Sequence, residues 1–124
     1  MAKSIMVVDD SESVRQTVAF LLQDQGYEVI EASDGRDALD KLDGRAIGLI
    51  VCDVNMPSMD GIEFLKSLKE DGKYASYRFT PIVMLTTESN DAKKEVGKQA
   101  GAKAWLLKPL KPEALLDTIK KLMV

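Results

Sequence analysis

Histidine is absent from the 124 residues, and cysteine occurs once, as Cys52. The lack of histidine excludes His-based acid–base catalysis and most transition-metal sites. A single cysteine excludes an internal disulfide framework and a zinc site built from several cysteines. No apolar run approaches the roughly 18 residues that a membrane span needs. This composition predicts one soluble, cytoplasmic domain over residues 1–124 that has no membrane partner.

The net charge is only −3, but it is unevenly distributed. Residues 91–124 hold eight lysines and four acidic residues, a charge of +4, so residues 1–90 carry −7. The basic segment indicates either a solvated face or a docking surface for an acidic partner. The acidic total, and the lack of a helix-turn-helix or aromatic-basic motif, argue against nucleic acid as a partner.

Short apolar runs alternate with segments of helical periodicity along the whole chain. Strands are predicted at residues 4–8, 27–32, 47–52, 81–85 and 103–107. Helices are predicted at residues 12–25, 34–42, 62–70, 91–100 and 112–123, and a polar-aromatic loop at 73–80. Strict alternation predicts an α/β fold with a doubly wound, five-stranded parallel sheet, flavodoxin-like, with strand order 2-1-3-4-5.

Three carboxylates follow strands that are neighbours in this order. Asp9 and Asp10 end the first strand, and Asp53 ends the third. Adjacent strands lie about 4.8 Å apart, so these side chains must crowd together, and their repulsion must raise at least one pKa. A hard divalent cation relieves the repulsion, and Mg²⁺ prefers carboxylate oxygens. The sequence therefore predicts a Mg²⁺ site at this edge of the sheet.

Two further polar residues end the remaining strands. Thr86 ends the fourth strand and Lys108 ends the fifth. A hydroxyl donor and an ammonium group beside a metal are what a dianionic phosphoryl group requires. The Asp53 carboxylate is then the predicted nucleophile, and its product is an acyl phosphate.

These residues belong to five motifs that occur together in a known family. The motifs are Val7–Ser11, Asp53–Gly61, Leu85–Glu88, Gly101–Trp105 and Lys108–Pro109. In these motifs, and along its whole length, the chain resembles the receiver domain of response regulators, in particular the single-domain chemotaxis regulators. The resemblance implies that Asp53 accepts a phosphoryl group from a sensor histidine kinase.

The resemblance also assigns the metal ligands. They are Asp10, the Asp53 carboxylate and the backbone carbonyl of Asn55, with Asp9 acting mainly through water. Three features depart from the family: Thr87 stands where a small residue is usual, Trp105 replaces the usual Tyr or Phe, and the 73–80 loop is a few residues longer than in the best-known chemotaxis regulators.

Further roles follow from the same resemblance. Lys108 holds a phosphoryl oxygen, and its peptide bond to Pro109 is expected to be cis. Thr86 and Trp105 form the switch pair. Asn55 and Glu88 hold the water that hydrolyses the acyl phosphate.

Phosphorylation is expected to change the face made by the helix predicted at 91–100, the fifth strand and the last helix. The residues expected on this partner face are Lys93, Lys94, Lys98, Lys103, Trp105 and Lys111. The resemblance implies a protein target such as the flagellar motor switch and a phosphatase as a further partner. The chain is also expected to be monomeric and, because it ends with the last predicted helix, to carry no effector domain.

Three alternatives remain at this point. The first is an intermediate phosphate carrier in a multistep phosphorelay unrelated to motility. The second is an Asp/Mg²⁺ phosphatase, which needs an Asp-x-Asp pattern that the segment Asp9–Glu12 lacks. The third is a flavin binder, whose flavin phosphate three acidic residues would repel. The favoured hypothesis is therefore a signalling protein without enzymatic turnover, apart from self-catalysed phosphorylation and dephosphorylation of Asp53.

Overall fold

Strands and helices alternate through the computed structural model, which describes residues 3–56, 59–87, 95, 98 and 100–123. The strands are β1 (Ser4–Val8), β2 (Glu28–Ala32), β3 (Leu49–Asp53), β4 (Ile82–Thr86) and β5 (Ala104–Leu107). The helices are α1 (Glu12–Asp24), α2 (Gly35–Lys41), α3 (Gly61–Glu70) and a C-terminal helix (Pro112–Leu122).

The five strands form one parallel sheet in the order β2-β1-β3-β4-β5, which confirms the predicted fold class. Val8 pairs with Cys52, so the residues that follow them, Asp9 and Asp53, leave the sheet side by side. Asp53 in turn pairs with Leu85, next to Thr86. The register therefore brings the polar ends of β1, β3 and β4 to one edge.

The central strands β3 and β4 are buried at every position, as their continuous apolar sequences predict. One core layer joins α1 and the C-terminal helix to one face of the sheet, through Val18, Leu22, Leu115 and Ile119. The other layer joins α2 and α3 to the opposite face, through Ala38, Phe64, Leu65 and Leu68. Burying each large apolar side chain contributes about 1.5–3 kcal/mol, which fixes the helices on both faces.

Two helices begin directly behind the loops that leave the sheet. The Ser11 hydroxyl caps α1 by accepting from the Val14 N–H, and the Asp60 carboxylate caps α3 by accepting from the Glu63 N–H at 2.8 Å. Gly61 donates its N–H to the Val54 carbonyl at 2.8 Å, and a Cβ at this position would collide with the Asp53 carbonyl. The N-terminus of α3 therefore packs directly against the end of β3.

The structure differs from the predicted pattern at the 73–80 loop, where residues Gly72–Tyr77 form a short 3₁₀ helix. Tyr74 and Tyr77 are buried in this helix, and the Tyr77 hydroxyl donates to the Arg45 carbonyl at 2.7 Å. Burial of the two rings agrees with the interpretation of this segment as a packed surface loop, whereas its 3₁₀ helix was not predicted.

Most of the helix predicted at 91–100 lies outside the described residues, although Glu95 and Lys98 are helical. In the part of the chain that the structure describes, every helix is too short or too polar to cross a membrane.

Candidate functional site

The three carboxylates predicted to crowd together do so at the C-terminal ends of β1 and β3. One oxygen each from Asp9, Asp10 and Asp53 lies within 4.8 Å of the other two. Asp9 is 2% exposed and Asp53 is 5% exposed, whereas Asp10 faces solvent. Two of the three charges are thus removed from bulk water, where water could otherwise screen their repulsion.

Asp9 is held by four hydrogen bonds from four parts of the fold. Its N–H donates to the Ala32 carbonyl at 3.1 Å, and its carbonyl accepts from Arg15 Nη1 at 2.7 Å. Its carboxylate accepts from the Ser11 N–H at 2.9 Å and from Lys108 Nζ at 3.0 Å. These bonds fix both the main chain and the side chain of Asp9.

The negative charge of Asp53 has longer contacts with hydrogen-bond donors and cations than that of Asp9. Its Oδ1 lies 3.4 Å from Lys108 Nζ and accepts from the Asn55 N–H at 3.4 Å. Burial and the Asp9 charge raise the pKa of Asp53 to about 6, although Lys108 and the Asn55 N–H pull it down in part. The predicted repulsion between carboxylates therefore contributes to the raised pKa of Asp53, but burial contributes more.

Lys108 lies between the two buried carboxylates, just beyond the end of β5. Burial lowers the pKa of its ammonium group, but the hydrogen bond to Asp9 and the charges of Asp53 and Asp9 outweigh burial, so the pKa is raised. Lys108 therefore stays protonated at neutral pH. Its N–H donates to the Thr86 carbonyl at 2.8 Å, and its peptide bond to Pro109 is cis, as the resemblance implied.

The donor set of this cluster fits Mg²⁺. All candidate ligand atoms are oxygens, and two oxygens bound to one Mg²⁺ at about 2.1 Å are at most about 4.2 Å apart. The separations of up to 4.8 Å in the cluster are close to that limit. Asn55, whose carbonyl was predicted as a further ligand, follows Asp53 by two residues and is exposed. A small shift of carboxylate rotamers would bring the oxygens into reach of one ion.

Thr86 and Trp105 lie on the same face of the sheet. Trp105 pairs with Met84 on β4, and Thr86 follows Met84 by two residues, so the two side chains are diagonal neighbours. Thr86 is fully buried and Trp105 is half-buried. The indole N–H of Trp105 is buried without a hydrogen-bond acceptor among the described residues.

The predicted partner face is described only in part. Lys98, Lys103 and Lys111 are exposed, and a cleft of about 190 Å³ beside Trp105 is lined by Lys98 and Lys103. Lys93, Lys94 and Glu88, for which roles were also predicted, lie outside the described residues.

Sequence reasoning missed Arg15 and Glu31. Arg15 reaches the Asp9 carbonyl, and its Nε lies 3.4 Å from Glu31 Oε1. No local signal distinguishes Arg15 from the other polar residues of an exposed helix face. The predicted strand order already placed β1 beside β2, but it did not show that the Arg15 side chain reaches the ends of both strands.

Comparison with known proteins gives one family for nearly the whole chain. Residues 5–120 match the model of the response regulator receiver domain. The chain is 37% identical over 123 residues to the alkaline phosphatase synthesis transcriptional regulatory protein PhoP of Bacillus subtilis. It is 34% identical over 123 residues to the phosphate regulon transcriptional regulatory protein PhoB of Escherichia coli. These alignments cover 99% of this chain but 49% and 52% of the relatives, so the chain spans about half their length.

Solved structures match over nearly the full length of both chains. The chemotaxis response regulator CheY4 of Vibrio cholerae superposes with a TM-score of 0.89 at 48% identity, covering 98% of this chain and 99% of the other. A putative response regulator from Chloroflexus aurantiacus gives a TM-score of 0.88 at 29% identity, covering 99% and 98%. The BeF₃-activated receiver domain of DrrB gives 0.84 at 33% identity, covering 98% and 97%.

Proposed function

Because the chain belongs to the response regulator receiver domain family, we propose that it is a signalling switch in which Asp53 accepts a phosphoryl group from a sensor histidine kinase. One observation carries this proposal. The buried Asp53 carboxylate lies within 4.8 Å of two other carboxylates and 3.4 Å from the Lys108 ammonium. This arrangement offers a nucleophile, a cation site and a fixed positive charge in one place.

Asp53 is suited to act as the nucleophile at neutral pH. With a pKa of about 6 it is mostly ionised at pH 7.5, and its carboxylate is only slightly solvated. A carboxylate oxygen attacks phosphorus, the P–N bond of the phosphohistidine breaks, and the electron pair returns to the imidazole nitrogen. The products are an acyl phosphate on Asp53 and a free histidine on the kinase.

The groups around Asp53 stabilise the charge that the phosphoryl group brings. Lys108 is already placed within reach of an oxygen bound to Asp53, and its raised pKa keeps it positive. Asp9, Asp10, Asp53 and the Asn55 carbonyl would hold Mg²⁺. When bound, the ion supplies positive charge that offsets the phosphoryl oxygens.

The output of the switch is proposed to depend on Thr86 and Trp105. The phosphoryl oxygens offer the Thr86 hydroxyl a charged acceptor, which favours turning this side chain toward Asp53. Space then opens beside Trp105, whose buried indole N–H has no acceptor among the residues described. Phosphorylation thereby shifts a pre-existing equilibrium between two positions of the ring.

The partner face beside this ring suits an acidic protein target. Lys98, Lys103 and Lys111 are exposed there, around the cleft next to Trp105. We propose a cytoplasmic, monomeric receiver that acts in chemotaxis and binds the flagellar motor switch. The 48% identity to a chemotaxis regulator over nearly its whole length supports this output, whereas the transcriptional regulators are less similar.

Phosphoryl uptake tests the proposed function. Incubation with acetyl phosphate and Mg²⁺ is expected to add one phosphoryl group, measured by intact-protein mass spectrometry. The reaction is expected to stop with excess EDTA and in Asp53→Asn, and to persist in Asp117→Asn, which changes an exposed carboxylate on the C-terminal helix. Equal uptake by Asp53→Asn and the wild type would contradict the assignment of the phosphoacceptor.

The proposed target needs a separate experiment. Protein treated with beryllofluoride and Mg²⁺ is expected to bind purified motor-switch protein of the same organism at least about fivefold more tightly than untreated protein. Lys98→Glu and Lys103→Glu are expected to weaken this binding, measured by calorimetry. Equal affinities of treated and untreated protein would contradict the motor-switch assignment while leaving phosphorylation of Asp53 intact.

A further inference from the structure

We propose that Arg15 is a positioning residue for the Mg²⁺ site, acting through the main chain of Asp9 and braced by Glu31. The inference rests on the proposed function, since it concerns the cation that phosphorylation of Asp53 requires. Neither Arg15 nor Glu31 touches the expected position of the ion. Their effect is exerted through the turn that carries Asp9 and Asp10.

Arg15 ties three elements together with one side chain. Its Nη1 donates to the Asp9 carbonyl at 2.7 Å, and its Nε lies 3.4 Å from Glu31 Oε1. The guanidinium plane holds these two N–H groups at a fixed angle, so one rigid group connects α1 with the ends of β1 and β2. The Arg15 side chain is 16% exposed and the Glu31 side chain is 43% exposed, so water competes more for the glutamate.

The Asp9 carbonyl sets the direction of the main chain at Asp10. This carbonyl belongs to the planar peptide unit that joins Asp9 to Asp10, so an arginine that fixes the oxygen also fixes the direction in which Asp10 leaves the strand. The carboxylate of Asp10 has no hydrogen bond or ion pair to any residue within the described ranges. Its orientation in the metal-free protein therefore depends on the main chain, and Arg15 holds that main chain.

Glu31 is itself supported from the edge of the sheet. Its main-chain carbonyl accepts from Lys41 Nζ at 2.6 Å, and Lys41 pairs with Asp37 at 3.2 Å. These contacts attach the end of β2 to α2. The ion pair with Glu31 therefore connects Arg15 to the end of β2, which α2 also holds in place.

Two effects of Arg15 on a bound cation have opposite signs. Its positive charge repels a cation, so removing the charge alone would tighten Mg²⁺ binding. Its hold on the Asp9–Asp10 peptide favours binding, so losing that hold would weaken it. Outer partners of metal ligands typically contribute 10- to 100-fold to affinity, and the indirect route through the main chain suggests about 5- to 10-fold here.

The Mg²⁺ dissociation constant of Arg15 variants separates the two effects. Calorimetric titration with MgCl₂ is expected to give about 5- to 10-fold weaker binding for Arg15→Gln and about 2- to 5-fold weaker binding for Arg15→Lys, which keeps the charge but cannot bridge both partners. Arg45→Gln is the matched control. It removes the same charge from a guanidinium that pairs with Asp43 at 3.0 Å, and its dissociation constant is expected to stay within about twofold of wild type.

A purely structural role would lower the free energy of unfolding without changing metal affinity, so urea unfolding is measured alongside. Glu31→Gln is expected to weaken Mg²⁺ binding about 2- to 3-fold, and the double variant Arg15→Gln/Glu31→Gln to bind like Arg15→Gln alone, because Glu31 acts through Arg15.

An Arg15→Gln variant that binds Mg²⁺ as tightly as wild type, or more tightly, would overturn the inference. Should the Arg15 variants fail to fold, unchanged affinity in Glu31→Gln would overturn it as well. A wild-type protein that binds no Mg²⁺ would instead contradict the proposed function, so the two failures are distinguishable.

Discussion

Replacing Asp53 by asparagine is expected to stabilise the metal-free protein at neutral pH. The ionised Asp53 carboxylate is buried beside Asp9, and these two causes raise its pKa to about 6. Asparagine has nearly the same size and keeps an oxygen for the Asn55 N–H, which lies 3.4 Å from Asp53 Oδ1. The variant therefore removes the costly charge and leaves the packing in place.

The magnitude follows from the pKa difference between the folded and unfolded states. The pKa rises from an ordinary value of 3.8 to about 6, and each unit corresponds to about 1.4 kcal/mol. The full cost of ionising Asp53 in the folded protein is thus about 3 kcal/mol. Asp53 itself is 5% exposed, but the neighbouring Asp10 faces solvent, so water at this edge screens part of the cost. We expect the variant to be more stable by about 1–3 kcal/mol at pH 7.5.

The sign of the pH dependence is fixed by the same shift. Below about pH 4 the group is protonated in both states and contributes nothing. Between about pH 4 and 6 the unfolded chain loses the proton first, so the wild type loses stability as the pH rises. The difference in free energy of unfolding between Asp53→Asn and the wild type should therefore grow between about pH 4 and 6 and stay constant above pH 6.

Urea unfolding in EDTA between about pH 4 and 7.5, followed by far-ultraviolet circular dichroism, measures this advantage. Asp117→Asn controls for the loss of an exposed charge, and its stability relative to the wild type should not rise comparably between pH 4 and 6. An Asp53→Asn variant that is less stable than wild type at pH 7.5, or an advantage that does not grow with pH, would refute the reasoning. Added Mg²⁺ should stabilise the wild type more than the variant.

Three more predictions concern neighbours of the same site. Gly61→Ala places a Cβ against the Asp53 carbonyl. It should lower the free energy of unfolding in urea by about 1–3 kcal/mol and slow the labelling of Asp53 by acetyl phosphate. A variant as stable and as rapidly labelled as the wild type would contradict the close contact. Lys108→Ala removes the cation 3.4 Å from Asp53, so the pKa of Asp53 followed by NMR should rise above its wild-type value, and an unchanged or lower pKa would contradict the pairing. Beryllofluoride with Mg²⁺ should change the fluorescence of Trp105 in wild type but not in Thr86→Ala, and identical responses would show that the two residues are uncoupled.

The positions of the polar residues at the strand ends could be predicted because they depend only on the order and direction of the strands. Once alternating strands and helices indicate a parallel sheet of order 2-1-3-4-5, residues that follow β1 and β3 must meet at one edge. Asp9 and Asp53 lie together for that reason, and the pKa of Asp53 is raised first by its burial at this edge and then by the Asp9 charge. The position of Lys108 was predicted by the same argument, because Lys108 directly follows β5.

Contacts that depend on side-chain reach could not be predicted in this way. Arg15 and Glu31 are 16 positions apart, and their meeting depends on the direction of a long side chain across the sheet edge. The 3₁₀ helix that buries Tyr74 and Tyr77 was also missed, since its polar residues follow no apolar period. Sequence patterns report which face is apolar, but they do not report where a single flexible side chain finds its partner.

The central claim is that Asp53 is the residue that receives the phosphoryl group from a histidine kinase. Phosphotransfer from a phosphorylated sensor kinase, followed by borohydride reduction, converts an aspartyl phosphate to homoserine, and peptide mass spectrometry locates the converted residue. Conversion is expected at position 53 alone, and the Asp53→Asn variant should show none. Conversion at Asp9 or Asp10, or transfer to the Asp53→Asn variant at the wild-type rate, would contradict the account.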